Sequence, residues 1–262
     1  MTMNQLYTEI DSKAEGVREL LEQDPNRLDE FHGLLDFSWI YHDNALEGVV
    51  LSFHELNAAI DEAIISDATL IPAYDDICNH KTAIGFVRTA AIKKKPAPGL
   101  EFMKKLFQIL SHESMPRSSK APPKPQGQYR KDNPLHRLYF HEIAPPEKIS
   151  YQMRKLVQWL TSDEAKKMHP VRRASVAHHR LIGIYAWPKH SGKIARLLMN
   201  AMLLRDGYLP SVIHAIERQR YYEVLRQPPD ALTRLVGESL VSTLDAATRF
   251  LQGEDAELRV AS

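Results

Sequence analysis

Apolar residues recur at three- and four-residue spacing through almost the whole chain, and this helical period is interrupted at length only between Glu113 and Pro146. Such a pattern directs the chain to the all-α class, in which amphipathic helices bury one stripe each around a common core. From Asn4 to Glu22, Leu6, Ile10, Val17 and Leu20/Leu21 share a face, and Asp24-Pro25-Asn26 reads as the turn that follows. A second helix is predicted from about Arg27 to Glu47, with Gly48 in the place of a C-terminal glycine. Ser52 and Glu55 form a capping box for a third helix reaching about Ile65. Pro72 opens a long helix closed by Lys93-Lys94-Lys95 and Pro96, where basic residues suit the negative end of the helix dipole. A shorter helix covers about Leu100 to Ser111.

The interruption holds Pro116, Pro122, Pro123, Pro125 and Pro134, and within it Leu135, Leu138 and Phe140 are interleaved with His136, Arg137, Tyr139 and His141. This is an extended pattern, read as a small β-hairpin or flap at the end of a Pro-rich loop. Helices resume at about Glu147–Leu160, His169–Ile184, Ile194–Arg205, Ser211–Leu225 and Asp230–Leu251. The chain therefore divides into N-terminal helices over 1–50 and a main helical body over 51–252, with the Pro-rich loop and flap at about 113–146.

Charge narrows the partners. Thirty-four basic against 33 acidic residues leave a formal net charge of +1, which argues against a general nucleic-acid binder. The single cysteine, Cys78, excludes an intrachain disulfide framework and suits a reducing, cytoplasmic setting. No run of eighteen apolar residues is present to span a bilayer, and Met1 to Asp11 lacks the basic and apolar regions of a secretory signal. No His, Cys, Asp and Glu set has metal-ligand spacing.

Two segments carry chemistry. Tyr185 to Arg196 (Tyr-Ala-Trp-Pro-Lys-His-Ser-Gly-Lys-Ile-Ala-Arg) lies between two strong helical patterns and contains Lys189, Lys193 and Arg196 but no acid. Ser191 and Gly192 allow close backbone approach, and a helix start with free N–H groups beside cations is a natural phosphate site. Lys193, Arg196 and Asn200 then fall on one face of the new helix. The same residues are also compatible with a solvated basic loop. The second segment, Tyr41 to Gly48, places Asp43 and Glu47 four apart near a helix C-terminus. Like charges at that spacing, facing the negative end of the dipole, are each destabilising by a few tenths of a kcal/mol, which hints at a cationic partner.

Together these segments resemble the Fic (Fido) family, whose best-known members transfer AMP from ATP to a protein hydroxyl. The family loop reads His-Pro-Phe-x-Asp/Glu-Gly-Asn-Gly-Arg-x-x-Arg and runs on into Leu-Leu-Met-Asn. Here Ala195 to Asn200 and Arg205 to Pro210 match its tail, and Arg218 to Leu225 is similar to a downstream Arg-x-x-Tyr-Tyr-x-x-Leu helix. Gly127 to Arg130, His141 to Pro146, and Tyr151 to Met153 with Trp159-Leu160 resemble the segments around the family flap. Asn44 to Gly48 is similar to its N-terminal inhibitory motif, Ser/Thr-x-x-x-Glu-Gly/Asn. The likeness runs in order from about residue 35 to 250. It implies a Fic-type helical bundle with a flap that docks a target protein by strand addition.

The resemblance also shows what is missing. Tyr185 stands where the family has its general-base His, and Trp187 stands for the Phe. Lys189 occupies the acidic Mg²⁺-holding position, and His190-Ser191-Gly192 replaces the anion-hole Gly-Asn-Gly. Lys193 stands for the first Arg, whereas Arg196 keeps the second. Asp43 replaces the Ser/Thr of the inhibitory motif, and Glu47 is retained. A Tyr with a pKa near 10 is ionised only about one part in a thousand at pH 7, and loss of a general base slows a reaction about 10²–10⁴-fold. Lys189 cannot hold Mg²⁺, yet it can neutralise phosphate in the metal's place.

The reading is a degenerate Fic-fold protein that binds a nucleotide, ATP or another, or a different phosphate ligand through Lys189, Ser191, Gly192, Lys193, Arg196 and Asn200, with ordinary AMP transfer impaired or lost. The alternative is an active transferase of altered chemistry on an anionic substrate, using Tyr185 or His190. In either case the resemblance implies that Glu47 pairs with Arg196 as an inhibitory contact, with Asp43 reaching Lys193. His178 and His179 are read as packed, His136 and His141 as surface residues, and Cys78 as core.

Overall fold

The computed structural model describes residues 1–24, 27–50, 52–60, 71–94, 98–112, 128–134 and 141–254. Among these no strand occurs; the described chain is helical, in the order α1 (Met3–Gln23), α2 (Arg27–Leu46), α3 (Phe53–Ile60), α4 (Ile71–Lys93), α5 (Leu100–Leu110), α6 (Ile149–Leu160), α7 (Asp163–Lys167), α8 (Pro170–Ile184), α9 (Ser191–Arg205), α10 (Arg218–Val224) and α11 (Pro229–Gln252). The segment expected to form the flap, residues 135–140, and most of the Pro-rich loop lie outside the described residues, as does the far end of the third expected helix.

Packing follows the apolar stripes. In α1, Leu6, Ile10, Ala14 and Val17 are buried and lie along α11, where Gly237 leaves room: a Cβ there would stand 2.7 Å from Leu6 Cδ2. α11 in turn packs on α8, and α8 on α9. α9 is the centre of the molecule. Every residue from Ser191 to Leu203 is buried, with α8, α4 and α5 around it, so this helix needs no polar face. α2 lies against α4 and brings Trp39, Ile40 and Leu46 into the same apolar core. No described helix is long and apolar enough to cross a membrane.

Local signals account for several boundaries. Ser52 and Glu55 make the reciprocal bonds of the capping box at the start of α3. Gly48 follows α2 with φ +86°, the left-handed conformation a glycine adopts without strain. Two boundaries differ from the sequence reading. α9 begins at Ser191, three residues earlier than the apolar period shows, because the Ser191 hydroxyl closes the loop by accepting from Trp187 N–H (3.0 Å) and donating to Trp187 C=O (2.8 Å). The helix expected over Ser211–Leu225 is confined to α10, preceded by a 3₁₀ turn at Ala215–Glu217. Ser211 is committed elsewhere: its N–H goes to Asn200 Oδ1 (2.9 Å) and its hydroxyl to Val236 C=O (2.9 Å), so the chain is tied to α9 and α11 rather than to its own next turn. α7 was masked in the sequence by its short, charged pattern.

Candidate anion site at the start of α9

The loop between α8 and α9 is bracketed by two non-glycine residues in the left-handed region, Tyr185 at φ 50° and His190 at φ 62°. Such conformations are unfavourable by roughly 1–3 kcal/mol each and persist only where the surroundings enforce them. Arg130 supplies much of that enforcement. Its guanidinium donates to Tyr185 C=O (2.7 Å), to Ala144 C=O, and to Asn133 Oδ1 (2.7 Å), thereby capping the C-terminal end of α8 with a cation. Trp187 anchors the middle of the loop, fully buried and stacked on Phe107 with ring centres 5.8 Å apart.

This geometry leaves the first turn of α9 uncapped by its own N-cap, since the side chain of His190 makes no capping bond. An orphaned helix start attracts negative charge. The charge that arrives is the carboxylate of Glu47, the last acid of the α2 region. A Cβ on Gly192 would collide with Glu47 Oε1 and stand 3.1 Å from its Cδ and 3.2 Å from Arg196 Nη1. Glu47 Oε1 also accepts from Arg196 Nη2 at 2.8 Å. The carboxylate thus sits between the glycine turn and the guanidinium.

Arg196 is 3% exposed and has further partners. Its Nε donates to Asp43 Oδ1, and its Nη1 to the hydroxyl of Tyr221 at 3.3 Å. His80 Nε2, from α4, faces the other oxygen of Asp43 at 3.1 Å. Burial alone pushes the Asp43 carboxyl up, but Arg196, then His80 and Lys193, outweigh it and hold it at about 2. Burial likewise works against the charge of Arg196, yet Asp43, Tyr221 and Glu47 raise its pKa well above the ordinary value. The pair is ionised throughout the physiological range. Behind it lies a cavity of about 10 Å³ bounded by Trp39, Asp43, Arg196 and Asn200, with room for about one water molecule.

Lys193 was expected to meet Asp43. Instead its ammonium is bonded to Asn44 Oδ1 at 2.8 Å and to Asp76 Oδ2 at 2.9 Å. One turn of α9 separates Lys193 from Arg196, and Asp43, pointing at the latter, leaves Asn44 beside the former. His190 lies at the rim, with Nδ1 4.0 Å from Asp76 Oδ1. Burial lowers its pKa to about 4, with Lys193 and Lys189 adding to the effect against the opposing pull of Asp76 and Glu47, so the imidazole is neutral at pH 7.

The remaining expected site residues fall elsewhere. Tyr185 is 1% exposed, its ring near His141, and is not presented at the surface. The Ser191 hydroxyl is used by the loop itself. Asn200 binds Ser211 in both directions, through N–H to Oδ1 and through Nδ2 to C=O, and serves the fold rather than a ligand. Lys189 is exposed and acts on the cluster through its charge beside His190. His178 is packed as expected, with Nε2 3.0 Å from the hydroxyl of Tyr221, but His141 is buried against Ile182 C=O (3.1 Å) rather than at the surface. Cys78 is half-buried. Asp76 and His80 were not singled out in the sequence, and Tyr221 entered only as part of the Arg218–Leu225 motif, with no role at the site. The i,i+4 spacing of Asp76 and His80 on an otherwise apolar face of α4 was the signal available for the first two.

The donor set fits an anion. Gly192 admits close approach, and a carboxylate already rests there beside a charged guanidinium. Where the resemblance implies a Mg²⁺-holding acid, the chain carries Lys189, whose ammonium cannot ligate the metal.

Comparison with known proteins agrees with this architecture. The sequence model of the Fic/DOC family matches residues 100–203. A protein adenylyltransferase Fic of Nematostella vectensis is 27% identical over 215 residues, covering 80% of this chain and 48% of that protein. Its counterpart in Drosophila melanogaster is 24% identical over the same share of this chain and 41% of its own length. The chain therefore spans about half the length of the curated relatives it matches, or somewhat less. Among solved structures, a Fic domain containing signaling protein from Bacteroides thetaiotaomicron superposes with a TM-score of 0.80 at 23% identity, covering 96% of this chain and 100% of the other. Fic-1 from C. elegans gives 0.73 at 18% identity over 94% and 74%. Residues 100–203 of this chain match the sequence model of the Fic/DOC family, and the chain takes the Fic fold.

Proposed function

We propose that this Fic-fold protein binds the phosphate groups of a nucleotide, or of another phosphorylated ligand, at the start of α9, in competition with Glu47, and that ordinary AMP transfer is impaired or lost. The observation that carries this reading is the position of the Glu47 carboxylate, against Gly192 and on Arg196. Carboxylate and phosphate are both anions that accept from a helix start and a guanidinium, so a group that satisfies the site from within competes with one from outside. Impaired transfer rests on Tyr185, which replaces the base and is buried, and on Lys189, which replaces the metal-holding acid. The relatives are adenylyltransferases, and that activity supports a nucleotide as the ligand. A cytoplasmic setting accords with the single cysteine.

Titration calorimetry with ATP tests this. A charge-assisted hydrogen bond contributes about 1.5–3 kcal/mol, so removing its internal competitor in Glu47→Gly tightens binding roughly tenfold to a hundredfold. Arg196→Ala in the same background abolishes the gain, and chelating Mg²⁺ leaves the affinity unchanged. Equal affinities for the wild type and Glu47→Gly overturn the reading.

One observation favours the transferase alternative through His190 rather than Tyr185. His190 is at the rim, where a substrate can reach it, whereas Tyr185 is enclosed; burial, which lowers the His190 pKa to about 4, makes it a weak base there. Incubation with labelled ATP, GTP, UTP and CDP-choline distinguishes it: a labelled product that disappears in His190→Ala establishes transfer, and no product leaves binding alone.

A further inference from the structure

We propose that Asp76 is a second internal lock on this site, acting on Lys193 as Glu47 acts on Arg196, so that a polyanionic ligand binds with full affinity only when both carboxylates are displaced. The inference rests on the phosphate-binding reading above and deepens it. Lys193 is 3% exposed, and a buried ammonium needs partners to remain charged. Its two acceptors come from different helices: Asn44 from α2 and Asp76 from α4. Among the described residues, the carboxylates that hold Arg196 are those of Asp43 and Glu47. Each cation therefore has its own restraint.

Counting charges shows why one release is insufficient. Asp43, Glu47 and Asp76 set three negative charges against two positive ones on Lys193 and Arg196, with His190 neutral at pH 7. Withdrawing Glu47 makes the cluster neutral, but Lys193 still points at Asp76. A ligand carrying several negative charges then finds Arg196 Nη2 released but Lys193 still paired with Asp76. Withdrawing Asp76 as well leaves a net positive charge and frees the second donor.

Asp76 is also the accessible member of the cluster. It is 33% exposed, whereas Asp43 is 3% and Glu47 11% exposed. A partly solvated pair is screened by salt and opened by small movements far more readily than an enclosed one. α4, which carries Asp76, precedes the segment matched by the Fic/DOC model and packs on both α9 and α2. α4 also carries His80, which faces Asp43, so a movement of α4 would act on Lys193 and on the partner of Arg196 together.

The test uses the full chain as wild type, Asp76→Ala, Glu47→Gly and the double variant, with melting curves to establish folding. Two quantities are read. The first needs no ligand: acetylation of Lys193 by acetic anhydride, measured by mass spectrometry, should rise at least fivefold in Asp76→Ala, because the amine loses its charged partner and water gains entry. The second is the ATP dissociation constant from calorimetry. Asp76→Ala alone should gain little, whereas the double variant should bind at least tenfold more tightly than Glu47→Gly. If the double variant matches Glu47→Gly within twofold, the lock is overturned and the phosphate reading stands. If Lys193 becomes reactive but no variant binds ATP, GTP, UTP or inorganic pyrophosphate, the phosphate reading fails and the lock with it. Should Asp76→Ala not fold, Asp76→Asn removes the charge while keeping the size of the side chain and carries the same expectations.

Discussion

Glu47 reaches the first turn of α9 from just beyond the end of a helix whose own dipole disfavours it. On α2 alone, Asp43 and Glu47 repel each other and face the negative end of the helix; both penalties are offset because each carboxylate meets Arg196. This contact was legible in the sequence as two acids at a helical spacing. The partner of Lys193 was not, because Asp76 lies more than a hundred residues away and its spacing to His80 marks a polar spot on α4 without saying which cation it meets. Asn200 misled for the opposite reason: it shares the helix face of Lys193 and Arg196, but by its turn that face has entered the core and meets Ser211. Gly192 supplies a prediction at this scale. In Gly192→Ala the new methyl displaces the Glu47 carboxylate, the movable end of a side chain, while Ala in place of Gly favours the helix by about 0.5–1 kcal/mol. The variant should fold with a melting temperature near that of the wild type, yet show no gain in ATP affinity, because the methyl occupies the space that Glu47→Gly vacates. A gain equal to that of Glu47→Gly would contradict the placement.

Among the elements, α10 is short but holds two others. Arg218 Nε (3.1 Å) and the Tyr222 hydroxyl (2.9 Å) both donate to Leu46 C=O, the C-terminal end of α2, while the Tyr221 hydroxyl touches Arg196. The attachment fixes where α2 ends and therefore where Glu47 begins its reach. Tyr222→Phe removes one of two donors to Leu46 and should lower stability by about 1 kcal/mol in urea denaturation. It should also speed amide exchange at the end of α2 more than in α9; equal acceleration everywhere would count against a local hinge. Element boundaries were readable where a local signal set them, as with the capping box of α3 and Gly48. They were unreadable where distant bonds decided, as at Ser211, whose ties to α9 and α11 prevent the helix that the apolar period suggests.

For the molecule as a whole, the helical period alone predicts the all-α class, and the resemblance supplies the arrangement. What neither supplies is how many histidines are buried without charge. His42 is stacked on His214 with ring centres 4.2 Å apart, and burial, reinforced by His214, lowers its pKa to about 3; burial lowers His190 to about 4. An unfolded chain protonates both near pH 6.5, so between about pH 6.5 and 4 it binds more protons than the folded chain, and stability falls as the pH falls. Asp43, held at about 2, adds a further loss only below about pH 4 as the pH approaches that value. The urea midpoint should therefore be lower at pH 5 than at pH 7.5; a midpoint that is flat or rises on acidification would contradict this assignment. All of these properties converge on a buried polar cluster at the centre of an apolar bundle, in which the chain provides its own anion. The most direct measurement is a crystal structure of Glu47→Gly soaked with ATP. The account predicts phosphate density against Gly192 and Arg196, in the place left by the carboxylate. A vacant turn with Arg196 unmoved on Asp43, or nucleotide bound elsewhere, would contradict it.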